Sequence, residues 1–321
     1  MYYICIGLSA HSCGLMRTLN DKYKNSAKKR MIRNSYWWIF FCIVACGASS
    51  DKVGGSAKFH AAELRGEVEN PLINEASGLV EGYNNPGYLW THNDSGDEAR
   101  IFLLDEFGRD NGIFTLKGIA NRDWEDISSG PGPEEGANYL YIAEMGDNLA
   151  VHDYKYIYRF IEPRADDPRV IERFDTLTFQ YPDGKRDAEC LMVDPLTGDI
   201  YIISKREAQV GVYKAPFPQP VKDTIILEKL GNIPYHNVVG GDISSDGREI
   251  LVKTYDKVLY WERDLSLSLM ETLRTAPLEI PYIVEPQGEA IAWKKDGSGF
   301  FTLSEERDSI EAILYFYPKN L

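Results

Sequence analysis

Beyond residue 46 the chain has one cysteine, Cys190, against four in the stretch before it, Cys5, Cys13, Cys42 and Cys46. A single thiol cannot build a disulfide framework, so the body must hold together by burial. Cys190 stands between apolar residues on an expected inner strand, where it reads as a small buried hydrophobe rather than a nucleophile. Histidine is scarce, with 5 in 321 residues, and no zinc spacing, nucleophile elbow, P-loop or Rossmann fingerprint is present. Positive charge is outnumbered in the body. Residues 1–45 carry seven Lys+Arg against one acid, which leaves 28 against 48 in the remainder, a balance of −20. So acidic a surface repels polyanions, which excludes nucleic acid as a partner and favours a divalent cation or a cationic or neutral ligand.

The apolar run at residues 36–45, Tyr-Trp-Trp-Ile-Phe-Phe-Cys-Ile-Val-Ala, follows Lys28, Lys29, Arg30 and Arg33. About ten residues is too short to span a bilayer and suits a signal-peptide core. Residues 1–45 are therefore expected to be a leader. Met31 makes a more usual start than Met1, so residues 1–30 are expected to precede the working start. Ile43-Val44-Ala45-Cys46 resembles a bacterial lipobox, which implies lipidation at Cys46 and a lipid anchor in the cell envelope, periplasmic or surface-facing. An uncleaved anchor or a plain secretory signal is the alternative. Residues 46–57 are Gly- and Ser-rich and read as a flexible tether.

From residue 58 to 321 the composition is that of an all-β body with a sizeable core: 44% of the chain is hydrophobic, 12% aromatic, and there are 27 glycines. A short phrase recurs about every 50 to 60 residues: Glu75-Ala-Ser-Gly-Leu79, Asp123-Trp-Glu-Asp-Ile127, Asp187-Ala-Glu-Cys-Leu191, Gly240-Gly-Asp-Ile-Ser244 and Gln287-Gly-Glu-Ala-Ile291. That period marks stacked supersecondary units. Each phrase precedes a Gly/Pro/Asn turn and two further β-rich runs, with expected fourth strands at 113–116, 176–179, 224–227 and 267–273. The pattern predicts a five-bladed β-propeller, with six blades as the alternative count. The fifth blade has no fourth strand of its own, so residues 58–68 are expected to complete it and remove the open edge.

Alternating strand directions bring the phrases and the second-to-third loops to one face. Aligned copies give a ring of Ser77, Glu125, Glu189, Gly241 and Glu289, flanked by Glu75, Asp123, Asp187, Asp242 and Gln287. Carboxylates crowded on one axis need protons or a cation, because like charges at such range cost several kcal/mol. Oxygen-only donors select a hard ion, and Ca2+ accepts an irregular cage more readily than Mg2+. Caps on backbone N–H groups of the neighbouring blade are the other role for these acids, and the two are compatible. Lys205, Arg206 and Lys253 read either as an anion clamp or as solvated charge. His92 and Asp94 are the candidate proton acceptors, although a packing role also suits His92.

The phrases above, with Leu89-Trp-Thr-His-Asn-Asp-Ser-Gly-Asp97, Asn121-Arg-Asp-Trp-Glu-Asp-Ile127 and Ala143-Glu-Met-Gly-Asp-Asn148, resemble a family of secreted or lipid-anchored bacterial propellers. Its members are often labelled PE-PGRS family proteins, and the family has no established activity. From about residue 70 onward this implies fold and location and leaves function open. A weaker resemblance is to the five-bladed calcium-activated nucleotidases, whose central calcium is held by a Ser and Glu ring. It implies Ser77, Glu125, Glu189 and Glu289 as the Ca2+ ligands, while Gly241 departs from the ring and the nucleotidase substrate motifs are absent. Esterase-like phytase propellers share the phrases at a lower level still. Two functions follow as expectations. One is a monomeric envelope lipoprotein that binds a small molecule or an envelope protein at an acidic, Ca2+-occupied face. The other is a Ca2+-dependent hydrolase of phosphoesters or nucleotides.

Overall fold

The computed structural model describes residues 58–307 and 310–320. The expected leader, tether and lipidation site at Cys46 lie outside the described residues. Among the described residues no helix is long and apolar enough to cross a membrane. The chain forms five antiparallel blades whose innermost strands touch one another in cyclic order, making a five-bladed β-propeller.

Blade 1 runs outward through Ala76–Glu81, Tyr88–Asn93, Arg100–Asp105 and Asp110–Leu116; blade 2 through Trp124–Pro131, Asn138–Glu144, Lys155–Ile161 and Asp175–Gln180. Blade 3 consists of Ala188–Val193, Ile200–Ser204, Val210–Ala215 and Glu228–Ile233, and blade 4 of Val238–Ile243, Glu249–Thr254, Val258–Glu262 and Leu278–Ile280. Blade 5 has Gly288–Trp293, Gly299–Ser304 and Ile313–Pro318, and its outer strand is the N-terminal Glu63–Glu67, antiparallel to Ile313–Pro318. The expected closure by the start of the body is therefore present.

Two of the expected fourth strands are displaced. Ile225–Ile226, inside the expected strand at 224–227, pairs in parallel with Phe179 and Gln180 and extends blade 2; the outer strand of blade 3 is Glu228–Ile233. The segment expected as a strand at 267–273 is the helix Leu269–Leu273. Ser268 caps the backbone N–H of Glu271, whose side chain returns to the Ser268 N–H. This Ser-x-x-Glu capping box fixes a helical turn whatever the β propensity of the apolar residues after it.

Side chains on successive strand residues point to opposite faces, so each blade buries both. Leu79 packs toward blade 5 and Val80 toward blade 2, and five apolar clusters fill the five seams between blades. Cys190 lies in the seam of blades 3 and 4 with no exposure, and burial pushes its thiol well above its ordinary range. It is packing, as its neighbours in sequence suggested.

Candidate cation site at the centre of the ring

Every inner strand begins with the same irregularity. The ladder to the second strand skips one residue at Ser77, Glu125, Glu189, Val239 and Glu289. A bulged residue leaves the ladder, and its side chain is re-aimed. Here three of the five carry carboxylates that meet: oxygens of Glu125, Glu189 and Glu289 all lie within 4.8 Å of one another. The structure thus corrects the ring in blade 4. Gly241 is two residues past the bulge, its Cα facing Cys190 and Leu251, and Val239 holds the ring position. The glycine pair misled the alignment because Val238-Val239 carries no polar residue to mark the phrase. The flanking position falls on Asn237 for the same reason, and Asp242 lies deeper along the strand.

A second layer sits above the bulges, where the second strands end. Its positions are Asp94, Met145, Lys205, Tyr255 and Glu305, set by the strand-end pairs Ala76 with Asn93, Trp124 with Glu144, Ala188 with Ser204, Val238 with Thr254 and Gly288 with Ser304. Lys205 Nζ is hydrogen-bonded to Glu189 and lies 3.8 Å from Glu289. It also donates to the Tyr255 hydroxyl at 2.8 Å, which in turn donates to Glu289 at 2.7 Å. Tyr255 thereby supplies the oxygen that Val239 cannot. It escaped sequence reasoning, although its place one residue past the second strand, like that of Lys205, was the available signal. Ser77 Oγ donates to the Glu125 carbonyl at 2.6 Å and lies 3.4 Å from Glu289, so it braces the ring from blade 1.

The electrostatics of this centre are those of excess negative charge in a buried place. Burial, then Glu189, raises the Glu125 carboxyl well above its ordinary range; burial, then Glu289, does the same to Glu189. Burial alone would lower the Lys205 ammonium, but Glu189 and Glu289 hold it above the usual lysine range. One ammonium does not balance three carboxylates. Glu189 Oε2 is buried with no hydrogen-bond partner, although the residue is only 4% exposed.

Acids elsewhere in the phrases do cap backbone. Asp126 accepts from Ile127 N and from Leu191 N of blade 3, both at 2.8 Å, and Asp242 accepts from Ile243 N and Trp293 N of blade 5 at the same distance. Asp187 accepts from Asp147 N at 2.8 Å and pairs with Arg206. The capping role weighed for the acidic residues thus falls to Asp126, Asp187 and Asp242.

Three side chains expected at the site belong elsewhere. His92 and Lys253 occur one residue before the end of their second strands, where blades 2, 3 and 5 carry Ala143, Ile203 and Leu303. Strand alternation turns that position into the seam. His92 is fully buried, edge-on to Trp124 at 5.7 Å and bonded through Nδ1 to the Asn93 carbonyl, and burial lowers it to about 4. Lys253 is buried under the Gly288 carbonyl and over the Tyr282 ring at 4.6 Å, and burial lowers it to about 8. Arg206 is half exposed but held by Asp187 and Asn148. With Lys205 in the carboxylate ring, the expected anion clamp has no free member. Asp94, by contrast, does reach the centre, with an oxygen within 4.8 Å of Asp123 and Glu125.

A pH dependence follows for the ion-free protein. Burial, then the Glu289 charge, moves Asp94 from 3.8 to about 7 and Glu305 from 4.5 to about 7. A raised carboxyl stabilises the fold fully below its unfolded pKa and loses that contribution as pH rises through the folded value. The lowered His92 acts oppositely, contributing above 6.5 and losing its contribution toward 4. In EDTA the melting temperature is therefore expected to fall between pH 6 and 8, and Asp94→Asn should flatten that fall. An unchanged slope in the variant would refute the assignment.

No protein-family model matches the chain and no curated protein matches it. Its architecture is what places it, as a five-bladed β-propeller with a buried carboxylate centre.

Proposed function

We propose that the protein is a cation-dependent ligand-binding propeller of the cell envelope, with Ca2+ held by Glu125, Glu189 and Glu289 at the hub. The observation that carries this reading is the unpartnered Glu189 Oε2 inside a carboxylate triad from three blades. Three oxygens no more than 4.8 Å apart have a common centre within about 2.8 Å of each, close to the coordination distance of Ca2+. The donors are all oxygen, with Tyr255 and the Ser77 brace adding to the carboxylates, which suits a hard ion. When bound, the ion would supply positive charge that Lys205 alone does not.

Binding rather than turnover is favoured by the placement of the candidate chemistry: His92 and Lys253 are sealed in seams and Lys205 and Arg206 are paired. The lipobox-like Ile43-Val44-Ala45-Cys46 and the resemblance to secreted propellers support an envelope location. The test is the melting temperature of a chain starting at Ala48, in EDTA and in millimolar Ca2+, Mg2+ or Mn2+. Ion at 100 times its dissociation constant adds about 2.7 kcal/mol and should raise the midpoint by a few degrees. Glu189→Gln should abolish the rise. A midpoint that no ion moves would overturn the reading.

A further inference from the structure

We propose that the face opposite the carboxylate centre rests on a lipid bilayer, so that the anchored protein presents that centre away from the membrane. This rests on the envelope part of the reading above and adds an orientation to it. The body begins on the opposite face. Asn320 N donates to the Lys58 carbonyl at 2.8 Å and Lys319 N to the Ser298 carbonyl at 2.7 Å. Ser298 is in the turn between the first two strands of blade 5, at the far end of Gly288–Trp293 from the bulge at Glu289. Residues 46–57 alone separate Lys58 from Cys46, and a chain of that length reaches at most about 40 Å. Gly288–Trp293, with six residues, is about 20 Å long, so a path up the side of a blade and past its loops would use most of that reach. A lipid on Cys46 therefore draws the exit face, not the carboxylate face, toward the bilayer.

An apolar patch lies beside that exit, joined to it contact by contact. Lys58 pairs with Glu262, and the next residue, Arg263, donates to Asp194 at 2.7 Å and to the Gly247 carbonyl at 3.5 Å. Gly247 faces Leu196, whose Cδ1 would stand 2.7 Å from a Cβ there, and the Phe217 ring lies over Gly198, 3.0 Å from the Cβ that this glycine lacks. Exposed along this run are Leu196, Phe217, Val221, Leu265 and Leu267. All five occupy turns that join first to second or third to outer strands in blades 3 and 4, which puts them on the exit face. Apolar side chains clustered in this way enter the boundary between lipid headgroups and acyl chains. The carboxylate face also exposes apolar side chains, Leu149 above all at 82%, in the loop between the second and third strands of blade 2. The place where the chain leaves the body decides between the two faces.

The experiment uses the full chain, expressed in a bacterial host and reconstituted in vesicles of phosphatidylethanolamine and phosphatidylglycerol that contain brominated phosphatidylcholine. Bromine on the acyl chains quenches tryptophan only at contact depth. Trp90, Trp124, Trp261 and Trp293 are buried in the body, so wild type supplies the background. The added emission of Leu196→Trp and Leu267→Trp should be lost to the quencher, and that of Leu149→Trp should be kept. These positions are exposed, so each variant should melt as wild type does, which is checked first. Quenching of Leu149→Trp, alone or with the others, would overturn the orientation. A chain that floats with the vesicles while none of the three is quenched would overturn the lipid-facing patch and leave the envelope reading standing. A chain that does not float with them would overturn both.

Discussion

Removing residues 58–68 is expected to abolish cooperative folding, and Phe59→Ala alone should cost about 3–5 kcal/mol, the range for emptying a buried aromatic site. Phe59 is fully buried in the seam of blades 4 and 5, with ring centroids 5.1 Å from Phe300, 5.4 Å from Tyr260 and 6.0 Å from Trp293. The backbone on either side is tied down as well. His60 N donates to the Pro318 carbonyl at 2.8 Å, Asn320 N donates to the Lys58 carbonyl at 2.8 Å, and Glu63–Glu67 completes the ladder of Ile313–Pro318. Without the segment, blade 5 ends in an unpaired edge beside an open apolar seam, which invites association between chains. At roughly 2 °C per kcal/mol for a domain of this size, Phe59→Ala should melt about 6–10 °C below wild type. The truncated chain should scatter light at temperatures where wild type stays clear. A Phe59→Ala midpoint within one or two degrees of wild type would show that the closure is not what holds the ring.

Glu162→Ala should be of comparable severity, from a different cause. Glu162 follows the third strand of blade 2 on the face away from the carboxylate centre and is 1% exposed. Its carboxylate accepts from Tyr83 N at 2.9 Å, Asn84 N at 2.8 Å, Asn85 Nδ2 at 2.8 Å and Trp90 Nε1 at 3.0 Å, all from blade 1. The backbone comes close enough that a Cβ on Gly82 would lie 2.3 Å from Glu162 Oε1. Unlike the hub carboxylates, this one has its lone pairs satisfied. Alanine would strand four donors at once, and each unsatisfied buried group costs about 1–3 kcal/mol. Partial access of water would reduce the total to about 4 kcal/mol. Urea melts should show the midpoint falling with an unchanged slope, because the surface exposed on unfolding is the same. Glu162→Gln should recover part of the loss by restoring one acceptor. If it behaves no better than alanine, hydrogen bonding is not the source of the effect.

The hub and the Glu162 staple use the same residue type for opposite purposes, and the difference lies in what surrounds each side chain. At Glu162 four neutral donors converge on one charge. At Glu125, Glu189 and Glu289 three charges converge on one another with a single ammonium. The first arrangement strengthens the seam as it stands. The second is balanced only by protons or cations, so the stability of the protein should follow its ionic surroundings as well as its packing.

How far these features were legible in the sequence depends on their period. The inner strands, the hairpin turns and the closure by the N-terminal segment all followed from a repeat of about 50 to 60 residues and from the missing fourth strand of blade 5, because local turn chemistry and alternation are written in adjacent residues. The acids of blades 2, 3 and 5 were found the same way. Blade 4 departs from the pattern, since Val239 has no polar side chain to align on, and at Leu269–Leu273 the local Ser268-x-x-Glu271 capping box prevails over the β propensity of the apolar residues after it. Tyr255, the seam positions of His92 and Lys253, and the grip of Glu162 on blade 1 depend on which way a strand faces after a bulge and on which turn of the next blade it meets. The sequence by itself determined the propeller, a preferred count of five blades and the acidic character of one face. Only the tertiary structure decided which charges meet, because a one-residue offset in register moves a side chain from the axis to the seam, and partners such as Glu125 and Glu289 lie far apart in the sequence.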